Sequence, residues 1–373
     1  MKKVYNRLDM SKRDDYLHFV TGDFEKMNVT TKKTKGIPPE KKKKIICSVA
    51  ISIIAAAMIA GIVIYNSMKA EYKSSTKNSF TMGTVVTVKL YGDEYNYAAK
   101  GIVNDLVASI DETISWRKAS SATAELNQNH TVQNNTLSDI ISTCNKISAD
   151  SNGAFDLTIG KVSRLWNFDE GDKTVPSDKA IKAALKTTDY RTLIALGAQV
   201  ESKKGQAVDL GSVGKGYACD VVKAFLEKSD VKGAVVSVGG SIVAYGNRNK
   251  AGDKWRVAIR DPQKEQGYIG TVNIDEGFVS TSGDYEKYFE KDGKKYHHLL
   301  DARTGYPAES DLTSVTIICD SGLKSDALST ACYILGKEEG TKLAEKYGVD
   351  AVFIDKQMNI TTVGDVDFER LEV

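Results

Sequence analysis

From residue 80 onward the chain switches repeatedly between a two-residue and a longer hydrophobic period. Residues 80–90 (FTMGTVVTVKL) alternate and are rich in Val and Thr, which predicts a strand opening a folded domain. Over residues 97–116 the spacing lengthens to Ala98, Ile102, Leu106, Ile110 and Ile114, one face of an amphipathic helix. Leu137, Ile140, Ile141, Cys144 and Ile147 predict a second helix, broken at Asn152-Gly153. Residues 164–206 read as a helical excursion with polar loops and no visible chemistry. Residues 207–220 (AVDLGSVGKGYACD) predict a strand delivering Asp209, a turn with three glycines, and a helix over residues 217–226 with Val221, Val222 and Phe225 inward. Strands come next at 234–245, broken by glycines, and at 255–260, 270–274 and 312–319, then a helix at 325–347. Strands mixed with packed helices predict an α+β domain.

One segment fits neither period. Residues 45–65 (IICSVAISIIAAAMIAGIVIY) carry no charge and exceed the roughly 20 apolar residues that a bilayer crossing takes. Lys41, Lys42, Lys43 and Lys44 precede it, so the positive-inside rule keeps residues 1–44 in the cytoplasm and exports the chain beyond residue 65. A cleaved signal peptide would have an apolar core of about 7–15 residues, which favours an uncleaved anchor. Residues 66–79 read as a polar linker and residues 80–373 as the exported domain. The net charge of +2 hides an uneven distribution. Residues 1–44 hold thirteen Lys and Arg against six Asp and Glu, and the rest of the chain 38 against 43, so the main body gives no sign of nucleic-acid binding. Cys144, Cys219, Cys319 and Cys332 lie in apolar segments, form no CxxC pair, and read as small core residues.

Candidate chemistry concentrates in residues 280–305 (STSGDYEKYFEKDGKKYHHLLDARTG). Asp292-Gly293 predicts a hairpin turn between strands 285–290 and 295–301, carrying Ser282 and His298 to neighbouring positions. Asp156 stands in a short apolar segment, where a carboxylate must meet a donor from the backbone or a ligand. The 211–216 glycine turn opens a helix whose amides and positive end suit a phosphate, with Lys215 as a mobile charge; a plain strand-to-helix turn has the same pattern. Asp326 and Thr330, four apart, share a helix face and form a candidate oxygen site for Mg²⁺, although the spacing alone favours a capped first turn with Thr330 facing solvent. A hydrolase built on Ser282, His298 and Asp301 lacks the strand, sharp turn and helix of a nucleophile elbow.

Together these blocks resemble the ApbE family of FAD:protein FMN transferases. The matching motifs are MGT at 82–84, AFD at 154–156, DLGSVGKGYACD at 209–220, SVGGSI at 237–242, STSGDYEKYF at 280–289, HHLLDARTGYP at 297–307 and SDALSTA at 325–331, spanning residues 80–354. The resemblance implies a T-fold-related α+β domain and an Mg²⁺-dependent reaction. FAD is cleaved at its pyrophosphate, FMN is joined by a phosphoester to a Thr or Ser of an acceptor protein, and AMP is released. It implies FAD contacts at Met82, Trp116, Ala154, Phe155, Asp156, Asp209, Lys215, His298 and Leu299, with Trp116 held by no clean motif. It places the metal between Ser212, through its carbonyl, and the side chains of Asp326 and Thr330. His298 is the candidate base for the acceptor hydroxyl. Acceptors would be exported or membrane-bound redox proteins. Two departures occur: Asp301-Ala302 replaces the usual Asp-Pro, and GSVGKG replaces the commoner GGIAKG. Neither removes a functional group. An FAD pyrophosphatase, with water in place of the hydroxyl, would use every one of these residues, and a flavin-binding module without catalysis would not need Asp326, Thr330 and His298.

Overall fold

The computed structural model describes residues 39–92, 96–168, 173–264 and 266–371, with the side chains of residues 39, 42–52 and 96–98 outside the described set. Of the expected cytoplasmic tail, residues 1–38 lie outside it. Helix α1, Pro39–Lys69, runs through the long apolar segment. Up to Ile64 it belongs to a unit separate from Tyr65–Val373, and each is taken on its own. Within α1 the side chains of Ile53, Ile54, Met58, Ile59, Ile62 and Val63 are exposed. Among the described residues no helix is long and apolar enough to cross a membrane, and the first part of the 45–65 segment has no described side chains.

In the larger unit eight strands form one antiparallel sheet, side by side in chain order. They are β1 (Ser74–Thr81), β2 (Thr84–Tyr91), β3 (Gly233–Val238), β4 (Ser241–Gly246), β5 (Gly277–Gly283), β6 (Leu312–Cys319), β7 (Asp350–Asp355) and β8 (Ile360–Val363). The other elements of this unit are inserted between neighbours, except a last strand, Phe368–Arg370, which follows β8. The β2–β3 connection carries α2 (Asn96–Ile114), α3 (Ala122–Asn129), α4 (Asn135–Asp150), α5 (Gly160–Trp166), α6 (Asp178–Leu185) and α7 (Gly214–Leu226), while α8 (Gly322–Tyr347) joins β6 to β7. The pleat sends alternate side chains to opposite faces. Val88, Val236, Val243, Phe278, Val315 and Phe353 share a core with the helices. Ile242, Val279, Ile318 and Val352 pack on the other face against a three-stranded sheet of Trp255–Arg260, Tyr268–Ile274 and Phe368–Arg370.

Several sequence expectations shift by definite amounts. In α2 the buried residues are Val103, Val107, Ile110 and Ile114, while Ile102 is exposed. A strict four-residue spacing drifts around a helix of 3.6 residues per turn, so Ala98, Ile102 and Ile114 cannot all face one core. From Ser74 the expected linker is the edge strand β1, paired with β2 from Ser74 opposite Tyr91. Asp209 is delivered by an irregular segment, tied to the chain before α5 by a bridge from Ile159 to Ala207 and by its own amide, which donates to the Leu157 carbonyl at 2.8 Å. The four described cysteines are free thiols. The excursion at 164–206 supports the key hairpin: Trp166, 1% exposed, packs with Phe289, Tyr296 and Tyr306 and donates its indole N–H to the Gly305 carbonyl at 2.8 Å.

Candidate functional site

The site forms where α7, α8, the β1–β2 turn and the segment after the hairpin converge. Three small residues let this happen. A Cβ on Gly214 would stand 2.4 Å from Ile114 Cδ1 and 3.3 Å from Met82 Cε, and one on Gly216 would stand 2.0 Å from the Gly322 carbonyl oxygen. The first turn of α7 therefore touches Met82 on one side and the start of α8 on the other, where the approach of Gly216 to the Gly322 backbone leaves no room for a side chain. Two polar ties then fix the helix pair. Gly216 N donates to Asp326 Oδ2 at 2.8 Å, and Asp220, one turn on, accepts from the amides of Gly322 and Leu323, both at 2.7 Å. Asp220 thus satisfies first-turn donors of α8 from a neighbouring helix, beside the N-cap Ser321.

That arrangement settles the reading of Asp326 and Thr330. Neither caps the helix, because the caps are Ser321 and Asp220, and both side chains are buried, at 3% and 7% exposure. Their face of α8 meets the hydroxyls of β5. Ser280 Oγ lies 2.7 Å from Ser325 Oγ, and Ser282 Oγ lies 2.8 Å from Ser329 Oγ and 3.1 Å from Thr330 Oγ1. Burial pushes the Asp326 carboxyl above its ordinary range, opposed by Lys215 and by the Gly216 amide. Among the described residues no group of three or more His, Cys, Asp or Glu is placed to hold a metal. A cation here would rest on one carboxylate, a hydroxyl and a backbone carbonyl, hard oxygen donors that leave room for phosphate oxygens. A buried carboxylate of this kind gains from a second positive charge, so the residues present fit the group.

Lys215 and Ser212 come from the turn that opens α7. No side chain caps this helix. Asp209 Oδ1 accepts the Gly211 amide at 2.9 Å and Lys215 Nζ donates to the Gly211 carbonyl at 3.3 Å, which leaves half-buried Ser212 between them. Across the cleft, the amide of His298 and its Nδ1 both reach the Lys287 carbonyl, at 3.0 and 3.2 Å. A carbonyl only accepts, so Nδ1 carries the proton and Nε2 keeps its lone pair. The ring is partly open to the cleft, yet crowding by protein, then Lys215, Lys287 and His297, hold its pKa down to about 3, so it is neutral near pH 7.

The remaining expected contacts divide. Ala154 and Phe155 are buried, and the Ala154 carbonyl accepts the Ala302 amide at 3.1 Å, joining the AFD segment to the chain after His298; the Leu299 carbonyl accepts from Ala308 at 2.9 Å. The donors Asp156 needs are protein groups: Thr158 N and Oγ1, each at 2.7 Å, and Tyr190 N at 2.8 Å. Trp116 lies between guanidinium groups, with Arg117 4.3 Å and Arg164 4.5 Å from its ring centre, and its buried indole N–H has no partner. The hairpin is Tyr288–Lys291 paired with Lys294–His297, turning at Asp292 and Gly293, both at positive φ. Its register places His297 opposite Tyr288, so it does not pair Ser282 with His298; Ser282 belongs to β5. Asp301 is engaged by Arg303 at 2.7 Å.

Sequence reasoning missed Glu286, an exposed residue whose Oε1 lies beside the Gly239-Gly240 turn, and it missed His297. The His297 ring is 7% exposed, stands edge-on to Tyr333 with centroids 5.6 Å apart, and has an unpartnered Nδ1. Burial, with smaller contributions from Lys295 and Lys356, lowers its pKa to about 4 against the opposing pull of Asp284 and the Ala308 carbonyl. The folded value lies below the unfolded one, so the unfolded chain binds the extra proton first. The stabilisation from neutral His297 is complete above about pH 6.5 and is lost as pH falls towards 4, on the order of 3 kcal/mol across that window. Thermal melts of His297→Phe should show a shallower loss of Tm than wild type from pH 6.5 to 4, and parallel curves would exclude this linkage.

Against known proteins the match is broad. The profile of the ApbE family fits residues 82–353. The FAD:protein FMN transferase of Treponema pallidum is 32% identical over 329 residues, covering 81% of this chain and 91% of that protein. The protein of the same name from Klebsiella pneumoniae is 31% identical over 288 residues, covering 75% and 88%. Among solved structures, the ApbE protein of Thermotoga maritima superposes with a TM-score of 0.72 at 29% identity, covering 78% of this chain and 97% of its own. The apo flavinyl transferase ApbE of Pseudomonas stutzeri gives 0.68 at 30% identity, covering 79% and 95%. A mixed α+β fold, seven sequence blocks in one order and a family profile spanning nearly the whole larger unit agree: this chain belongs to the ApbE family.

Proposed function

We propose that this chain is an Mg²⁺-dependent FAD:protein FMN transferase acting on a Thr or Ser of exported or membrane-bound redox proteins, with AMP as the leaving product. The observation that carries this reading is the meeting in one cleft of Lys215 at the uncapped start of α7, the buried carboxylate Asp326, and His298 with its Nε2 lone pair free. The acceptor oxygen attacks the phosphorus on the FMN side of the pyrophosphate, the bond to the bridging oxygen breaks, and that oxygen leaves with AMP. His298 Nε2 takes the hydroxyl proton. Lys215 and the first-turn amides of α7 meet the phosphate charge. Met82, Trp116, Ala154, Phe155, Asp209 and Leu299 would line the FAD site, and Asp156 would hold its loop. Ser212, Asp326 and Thr330 would hold the metal, which when bound supplies further charge neutralisation. Burial is the largest cause of the lowered His298 pKa, followed by Lys215 and Lys287, and phosphates facing those lysines would raise it.

We place the domain outside the cytoplasmic membrane, held by α1. The support is the uncharged run at 45–65, the lysines at 41–44, and the exposure of every large apolar side chain described in that part of α1. The test is intact-mass spectrometry of an exported candidate acceptor after incubation with the full-length protein in detergent, FAD and Mg²⁺. An FMN-sized mass gain, abolished by chelator, is expected. AMP and free FMN with an unmodified acceptor would point to the pyrophosphatase, and unchanged FAD would sink both.

A further inference from the structure

Ser282 is a residue that the sequence singles out and the reaction as written leaves without work. The pleat of β5 turns Phe278, Ser280 and Ser282 to the helix side of the sheet, where Phe278 joins the core and the two serines meet α8. The hydroxyls that answer them on α8, Ser325 and Ser329, stand four residues apart, one helical turn. Ser280, Ser325 and Ser329 are fully buried and Ser282 is 7% exposed, so each hydroxyl needs partners within the protein. They form two rungs between strand and helix, Ser280 to Ser325 at 2.7 Å and Ser282 to Ser329 at 2.8 Å. Only the second rung goes on to a residue assigned to the metal, since Ser282 Oγ also lies 3.1 Å from Thr330 Oγ1.

Counting protons gives each bond a direction. A hydroxyl has one proton and two lone pairs, and a carbonyl only accepts. Ser329 Oγ donates to the Asp326 carbonyl at 2.9 Å, so in its bond with Ser282 it is the acceptor. The Ser282 proton is therefore committed to Ser329, and in the remaining contact Thr330 donates to Ser282. The Thr330 proton is drawn towards β5, and its oxygen keeps both lone pairs for another partner. An oxygen that ligates a cation must turn its proton away from it, and the chain Thr330 to Ser282 to Ser329 to the Asp326 carbonyl does this in advance. We propose that Ser282 is a positioning residue for the metal: by accepting the Thr330 proton it fixes that hydroxyl with its lone pairs free for the cation. This inference rests on the assignment of Asp326 and Thr330 to the metal. The same count removes Ser282 from the candidate nucleophiles, because a neighbouring hydroxyl, and no base, holds its proton.

The test reads metal affinity apart from turnover. Full-length wild type, Ser282→Ala, Ser280→Ala, Thr330→Ala and the Ser282→Ala/Thr330→Ala double variant are titrated with Mn²⁺, which favours the same oxygen ligands, with FAD present and no acceptor. Free Mn²⁺ is followed by its electron paramagnetic resonance signal, and the Tm of each metal-free protein is recorded. Ser282→Ala should raise the Kd for Mn²⁺ by about 10-fold or more, the usual effect of losing a group that orients a ligand. The Mg²⁺ concentration for half-maximal transfer should rise to match, while kcat at saturating Mg²⁺ falls far less. Ser280→Ala removes the neighbouring rung, so it should lower Tm as much as Ser282→Ala does yet keep the Kd within about twofold of wild type. In the Thr330→Ala background Ser282→Ala should change the Kd by less than about twofold, since residues acting as a unit are not additive. An unchanged Kd in Ser282→Ala, an equal rise in Ser280→Ala, or the same rise with and without Thr330 overturns the proposal. If Asp326→Asn binds Mn²⁺ as tightly as wild type, the metal assignment itself has failed, which that single variant shows separately.

Discussion

Asp326→Asn is expected to lower FMN transfer by on the order of 10³-fold with Tm nearly unchanged, and Asp326→Ala is expected to lower both transfer and Tm. The difference arises from the two demands on this carboxylate. Its Oδ2 accepts the buried Gly216 amide at 2.8 Å, and an Asn oxygen can do the same. Alanine leaves that amide unpaired at the α7–α8 crossing, at a cost of about 1–3 kcal/mol. Either substitution removes the negative charge on which a cation would rest, a loss of several kcal/mol of charge stabilisation in the transition state. Transfer rates at saturating FAD, with Mg²⁺ varied over a wide range and Tm recorded alongside, separate the two effects. Near-normal, Mg²⁺-dependent turnover in Asp326→Asn would move the metal elsewhere.

His298→Ala should slow transfer by about 10²–10⁴-fold, the usual contribution of a positioned base, and change the affinity for FAD far less. The ring is oriented by its own neighbourhood, since the Lys287 carbonyl fixes the proton on Nδ1 and leaves Nε2 as the atom that would meet an incoming hydroxyl. Removing the ring takes away the proton acceptor but none of the phosphate-facing groups on α7. A kcat loss with Kd held within a few-fold is the expected pattern, and equal losses in both would reassign His298 to flavin binding. Hydrolysis of FAD to FMN and AMP should be measured in the same assay, because water delivers its proton elsewhere more easily than a protein hydroxyl does.

Some of the fold and site is legible in the sequence. The apolar spacing of Leu137, Ile140, Ile141, Cys144 and Ile147 predicts a helix whose five positions are all buried, because three- and four-residue steps in alternation track a helical face. The glycines at 214 and 216 are visible as punctuation, but their reason is not, since it lies in contacts with Ile114 and Gly322 from distant parts of the chain. Spacing alone does not tell a capping Asp326 from a buried one; Asp220, more than 100 residues upstream, does the capping. Glu286 escapes notice for a related cause. Its carboxylate lies beside the turn at Gly240, and nothing local in DYEKYF distinguishes it from the other exposed charges nearby.

The sheet whose strands lie in chain order also sets an order of events during synthesis. The β1–β2, β3–β4 and β7–β8 pairs can form soon after they emerge, with only short turns to close, and three other pairs enclose longer insertions. The β2–β3 pair cannot, because residues 92–232 must be made between them. Until then the β1–β2 hairpin presents β2 as an open edge, with Val86, Val88 and Leu90, all fully buried in the finished domain, facing solvent. The nascent chain therefore carries an open apolar edge early and protects it late, so production of this domain should depend on what shelters that edge while the long insertion is being built.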